Sequence, residues 1–197
     1  MKNFLMLALA LVALGTTTTF GLAQEPREIK ISSTIPVQPR MLTLPCCECL
    51  GKVTTLDLST GQSGPKDPIW SVNGTFAYTT PKVISWIALP SANWIQPEPS
   101  PLPSNNLPPN TNYTYTVRFY IPECAIPNSV RLTGNFAADN SAIAKLDGNP
   151  ILNASCPGPV CFNISQAPVP LSGAPLITAG VWHKLEIVVH NISSYSD

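Results

Sequence analysis

Three kinds of side chain in this sequence could do chemistry. The thiols come first: Cys46, Cys47 and Cys49 crowd one short stretch, and Cys124, Cys156 and Cys161 follow. Clustered thiolates suit zinc, whereas in an oxidising compartment they suit disulfides. Zinc ligands usually stand two residues apart, and the only histidines are His183 and His190. Disulfides are therefore expected and a metal is not. Cys156 and Cys161 enclose a Pro-Gly-Pro-Val turn and make a natural local pair. Adjacent cysteines bond only with strain, so one of Cys46, Cys47 and Cys49 is expected to reach Cys124.

Carboxylates and imidazoles come second. Asp139 and Asp147 could be imagined as the acid and base of glycoside cleavage, but each lies in a turn signal. His183 and His190 fall on opposite faces of one strand. No Gly-x-Ser-x-Gly elbow, His-Glu-x-x-His helix or phosphate loop is present. No catalytic residue and no enzyme activity are expected. Asp139-Asn140 is the best polar pair, with an Asx turn as its ordinary role.

The aromatic planes come third. Trp86, Trp94 and Trp182 could each stack on the C–H face of a sugar ring, although buried aromatics also dominate ordinary cores. Trp182 stands apart. The alternation that buries Leu185, Ile187 and Val189 places it with Lys184 and Glu186 on the other face. Trp94 lies beside a proline-rich loop, where it too could be reached.

The elements that must position these residues are strands. Tyr113, Tyr115, Val117, Phe119 and Ile121 alternate with Thr114, Thr116, Arg118 and Tyr120, the pattern of a strand with one buried and one wet face. Val130, Leu132 and Phe136 continue the period. Asp147-Gly148 between two apolar runs is a strong hairpin signal, and Asn73-Gly74 is of the same kind. Shorter strands are expected at Lys52–Leu58, Trp70–Val72, Thr75–Thr79, Val83–Ala88, Phe162–Ile164 and Val169–Leu171, and a long one within Gly180–Asn191. The 22 prolines disfavour long helices. Pro97–Pro109 reads as a polyproline connection within one domain.

The ends and composition set the compartment. Lys2 followed by the apolar run Phe4–Leu14 and by Gly21-Leu22-Ala23 has the form of an export signal, with cleavage expected after Ala23. The run is too short for a membrane span, and no membrane insertion is expected. Residues 1–23 are thus read as a signal peptide, residues 24–45 as an extended N-terminal arm, and residues 46–197 as a single β-sandwich domain. Charged residues make up only 11% and the net charge is zero, so nothing recruits nucleic acid. Sequons at Asn73, Asn112, Asn153, Asn163 and Asn191 would matter only in a eukaryotic secretory route.

The runs WIALPSANWIQP, NYTYTVRFYIP, VRLTGNFAADNSAIAKLDGNPI and TAGVWHKLEIVVHN resemble, in order and spacing, the galactose-binding-like jelly-roll domains of secreted bacterial proteins. The likeness covers Trp86 to Asn191 and excludes the Cys46–Gly51 region. It implies an antiparallel β-sandwich of jelly-roll form. It also implies a glycan or polysaccharide ligand, held by Trp94, Trp182, Asp139 and Asn140. A structural calcium near Asp139 is the one cofactor it leaves open.

Such domains continue past the late Asn into one more strand, whereas this sequence ends at Asp197, so either the chain is truncated, the leading expectation, or the final strand is supplied otherwise. Glu28–Val37 is extended and β-branched and could donate one. The leading expectation is a secreted, noncatalytic carbohydrate-binding or cell-surface recognition module. The alternative is a structural subunit of an extracellular fibre, coat or adhesin, a homo-oligomer or filament assembled by strand pairing.

Overall fold

The structure, a computed structural model, describes residues 6–13, 42–43, 56–61, 64–82, 85–99, 107–123, 125, 130–156, 161–163, 168–171 and 177–192. These residues hold twelve strands and no helix. The strands are β1 (Met6–Ala13), β2 (Leu42–Thr43), β3 (Leu56–Asp57), β4 (Lys66–Val72), β5 (Thr75–Thr80) and β6 (Trp94–Gln96). The chain continues with β7 (Thr111–Tyr120), β8 (Gly134–Asp139), β9 (Ser141–Leu146), β10 (Asn149–Cys156), β11 (Val169–Pro170) and β12 (Trp182–Asn191). The fold class is all-β, as expected, with one large sheet of the kind a β-sandwich needs.

The hydrogen-bonded order is β10-β9-β12-β7-β4-β5-β6-β1-β8-β11, with β2 on β7 and β3 on β1. Every pairing is antiparallel except that of β2 with β7. β7 and β12 form the spine, in register from Trp182 opposite Tyr120 to Asn191 opposite Thr111. The alternation in β7 works as read: Tyr113, Tyr115, Val117 and Phe119 are buried and Arg118 is exposed. Opposite them Leu185, Ile187 and Val189 are fully buried. Each such cross-strand apolar pair stabilises the sheet by about 0.2–1 kcal/mol beyond small residues.

The two Gly turns behave as their sequence demands. Asn73 and Gly74 have φ of 48° and 80°, and Asp147 and Gly148 have φ of 51° and 82°. Two successive positive φ values make the tight turn whose twist matches antiparallel strands. These turns join β4 to β5 and β9 to β10.

Elsewhere the elements depart from their expected bounds. The strand expected at Trp70–Val72 begins at Lys66, and its register shifts between Lys66 and Ser71. Pro68 lies inside that interval and has no N–H to give the ladder. Val130 and Leu132 are buried but precede β8 rather than belonging to it. Of the strands expected at Val83–Ala88 and Phe162–Ile164, the described residues form one bridge between Trp86 and Asn163, and 83–84 and 164 lie outside them. The strand expected at Lys52–Leu58 is Leu56–Asp57 within the described residues, because 52–55 fall outside them. Of the arm at 24–45, only Leu42–Thr43 is described.

Two apolar clusters hold the molecule. The larger gathers Trp70, Tyr115, Phe119, Phe136, Leu185 and Ile187 among others. The smaller consists of Trp86, Leu89, Trp94 and Ala137. β8 lies between them: Phe136 and Ala138 belong to the larger cluster and Ala137 to the smaller. Its residues from Phe136 to Asp139 are buried without alternation for that reason.

Candidate functional site

The outer face of β9, β12 and β7 is the open face of the sheet. It is built by the residues that alternate with the core: Trp182, Lys184, Glu186, Val188 and His190 on β12, and Tyr120, Arg118, Thr116, Thr114 and Asn112 on β7. At one end Trp182 and Tyr120 sit directly opposite each other, with ring centroids 5.4 Å apart and planes tilted by 49°. Trp182 is 40% exposed, and Val181 beside it is also exposed. Leu152, Val181 and Trp182 are the large hydrophobics left exposed among the described residues.

Polar groups border this aromatic pair. Arg118 lies opposite Lys184, and the Lys184 ammonium pairs with Glu186 at 2.9 Å. The hairpin tip after β9 abuts the same end. The Asp147 carboxylate accepts the Lys184 N–H at 2.7 Å and meets His183 Nδ1 at 2.7 Å. His183 is buried, and its Nε2 lies 2.7 Å from the Thr178 carbonyl oxygen. Both ring nitrogens thus lie within hydrogen-bond distance of an oxygen. His183 and Asp147 lock the base beneath Trp182. His190 points to the other face of the strand from His183, as the sequence indicated.

At the far end of the same face, Asn112, Ser141, Ile143, Ser155, Val188 and His190 line an open pocket of about 330 Å³. His190 Nδ1 bonds to Asn112 Oδ1 at 2.8 Å. One continuous face therefore carries an aromatic pair at one end, charged groups in the middle and a polar hollow at the other.

The four residues read as one ligand set do not converge. Trp94 is 2% exposed, stacks on Trp86 at 4.6 Å, and donates its indole N–H to the Ile87 carbonyl at 3.1 Å. A ring closed in a core cannot serve as a platform, so Trp94, expected in the ligand set, takes with Trp86 the core role that the sequence also left open to both. Asp139 and Asn140 are also buried. Asn140 donates to the Asp139 carboxylate at 2.6 Å and accepts the Ile192 N–H at 3.0 Å. They tie the β8–β9 corner to the end of β12 opposite Trp182. The ten residues of β12 put roughly 30 Å between that corner and Trp182. Trp182 alone of the set lies on the open face.

In the sequence Asn191 reads as the end of a motif and as a sequon. Its amide N–H groups bond to the carbonyls of Leu107 and Pro108, pinning the exit of the proline-rich loop to β12. Tyr120 was missed as a site residue because its place opposite Trp182 depends on register between distant segments. Its position on the wet face of the alternation was the available signal.

Cys156 and Cys161 form the expected disulfide, with Cα atoms 6.0 Å apart. Cys46, Cys47, Cys49 and Cys124 lie outside the described residues. Among the described residues no group of three or more His, Cys, Asp or Glu side chains is placed to hold a metal ion. Comparison with protein-family models, with curated proteins and with solved structures finds no match to this chain.

Proposed function

We propose that this chain is a noncatalytic carbohydrate-binding or cell-surface recognition module of an exported protein, with the galactose-binding-like jelly roll as its fold. Trp182 is the stacking platform and Tyr120 its second ring. The observation that carries this reading is the Trp182–Tyr120 pair, Trp182 being 40% exposed, on the outward-alternating face of β12 and β7. Arg118, Lys184 and Glu186 stand within the same face and supply donors and acceptors for hydroxyls. The zero net charge suits a neutral polymer.

A glycan array with the wild-type protein, followed by calorimetry on the best hit, tests it. Trp182→Ala is expected to weaken binding by roughly 2 kcal/mol, about thirtyfold, with folding unchanged. No glycan bound, or a variant that binds as tightly as wild type, overturns the reading.

One observation favours the second reading, a structural subunit assembled by strand pairing. The fold already accepts a segment from outside the likeness, residues 6–13, as an inserted strand.

A further inference from the structure

The chain has no net charge, yet its charges are not spread evenly over the fold. The described residues carry six cations: Lys66, Lys82, Arg118, Arg131, Lys145 and Lys184. Four of these, Lys66, Arg118, Lys145 and Lys184, stand on one face. Directly opposite residues of antiparallel strands share a face, so it can be followed from strand to strand. Lys145 is opposite Glu186, Glu186 opposite Thr116, Thr116 opposite Ser71, and Ser71 opposite Phe76. Lys184 and Arg118 are opposite each other, two residues along the same pair of strands. Lys66 is opposite Tyr78, two residues from Phe76 on β5.

Acids do not match these cations. Among the described residues Glu186 is the one acid directed outward from β9, β12, β7, β4 and β5, since Asp67 of β4 is buried. Glu186 is engaged with Lys184 at 2.9 Å. Asp147 sits at the hairpin tip beside Lys184, but its carboxylate is turned to the Lys184 N–H and to His183. Arg118 and Lys145 have no ion-pair or side-chain hydrogen-bond partner among the described residues. Arg118 is exposed and offers a planar fork of donors that fits a carboxylate with two parallel bonds.

Aromatic rings flank the cations on two sides. Trp182 and Tyr120 lie beyond Lys184 and Arg118. Phe76 and Tyr78, both half-buried, lie across β4, with the Lys66 ammonium 4.7 Å and 6.0 Å from their ring centroids. From β12 to β5 is three strand spacings, about 14 Å, and from Trp182 to Glu186 is four residues, about 13 Å. A uronic acid residue matches such a face, having a C–H ring plane to lie on an aromatic and a carboxylate at its rim. Nucleic acids also combine flat rings with anions, but domains that hold them are basic as a whole, whereas the pI here is about 6.7.

We propose that the outward face of β9, β12, β7, β4 and β5 binds an acidic polysaccharide, a polymer of uronic acid. Arg118 is the principal carboxylate ligand, with Lys145 and Lys66 beside it. This ligand class rests on the glycan-binding reading and narrows it. The zero net charge describes the whole chain, whereas a ligand meets only this face.

The test is calorimetry on the full chain at low salt with three polymers: polygalacturonate, the same polymer fully methyl-esterified, and single-stranded DNA. Esterification removes the charge and leaves the sugar rings. Polygalacturonate is expected to bind at least about tenfold more tightly than its ester, and added salt should shrink the difference. Arg118→Gln should weaken polygalacturonate binding at least about tenfold and leave ester binding within roughly twofold. Arg118 is exposed and unpaired, so its replacement leaves the fold intact. Lys82→Gln removes an equal charge from an exposed position beyond β5 and should change neither affinity. An ester bound as tightly as the acid overturns the acidic ligand and leaves the glycan-binding reading standing. Neither form bound also overturns it, and the glycan array then decides the broader reading by itself. Equal losses from Arg118→Gln and Lys82→Gln overturn it as well, as does DNA bound as tightly as polygalacturonate, because a general attraction for polyanions would then suffice.

Discussion

Asp67 shows how much one side chain can carry in this fold. It is buried, and its carboxylate accepts N–H groups from Ile69 at 2.9 Å, from Trp70 at 2.8 Å and from Gly61. It thereby holds the loop after β3 against the start of β4. Loss of solvent raises its pKa above 3.8, outweighing the three N–H bonds that lower it. The folded protein therefore keeps this proton to higher pH than the unfolded chain does. The group's stabilising effect is complete below the unfolded value and is lost as pH rises through the folded one. Asp67→Asn removes the titration. The stability advantage of wild type over this variant should be larger near about pH 3 than near about pH 7, measured by urea unfolding at each. An advantage that grows with pH would show that the N–H bonds, not burial, govern the carboxyl. Tyr115 is subject to the same loss of solvent: its hydroxyl is buried with no hydrogen-bond partner among the described residues, and burial, with Tyr113 nearby, holds its pKa well above the usual 10.0.

At the scale of elements, the β9–β10 hairpin has two separable tasks. The turn itself needs positive φ at Asp147 and Gly148, and glycine adopts that conformation freely. The Asp147 carboxylate then fastens the tip to β12 through His183 and Lys184. Asp147→Gly preserves the first task and removes the second. It should cost about 2 kcal/mol, because a buried imidazole loses a charged partner. A lowered denaturant midpoint with an unchanged slope is the expected signature. The same substitution should loosen the strand beneath Trp182 and broaden its emission. If stability is unchanged, the hairpin is held by its turn alone and the carboxylate contacts contribute nothing.

At the scale of the whole molecule, the second cluster is fastened from outside the main sheet. Cys161 is buried and bonded to Cys156 at the end of β10. The following residues reach Trp86 through the Asn163 bridge and the Ile87 N–H to Phe162 carbonyl bond at 2.8 Å. The disulfide therefore joins β10 to the Trp86–Trp94 cluster. Replacing both cysteines with Ser should lower stability on the order of 2 kcal/mol, the modest value expected of a short loop. It should also raise quenching of the paired indoles. Free thiols at both positions in the wild-type protein, by mass spectrometry, would remove the basis of this expectation.

The sequence by itself determined what depends on neighbours along the chain. Alternation in Tyr113–Ile121 and in Trp182–Asn191 is a local pattern, and it placed the buried and wet faces of β7 and β12 correctly, with Trp182 outward. Asn-Gly and Asp-Gly impose their φ values on their own turns, so both hairpins were legible. The Cys156–Cys161 pair was legible because the loop between them is short. Only the tertiary structure decided what depends on partners distant in sequence. Phe136 to Asp139 lie between two clusters, and burial on both faces erases the alternation that would have marked β8. Trp94 and Asp139 read as surface groups because their covering residues come from other segments. Trp182 and Asn140 were grouped together although opposite ends of one strand separate them. The pairing of residues 6–13 between β6 and β8 was invisible for the same reason: an apolar run states that it avoids water, and only the strands around it state where.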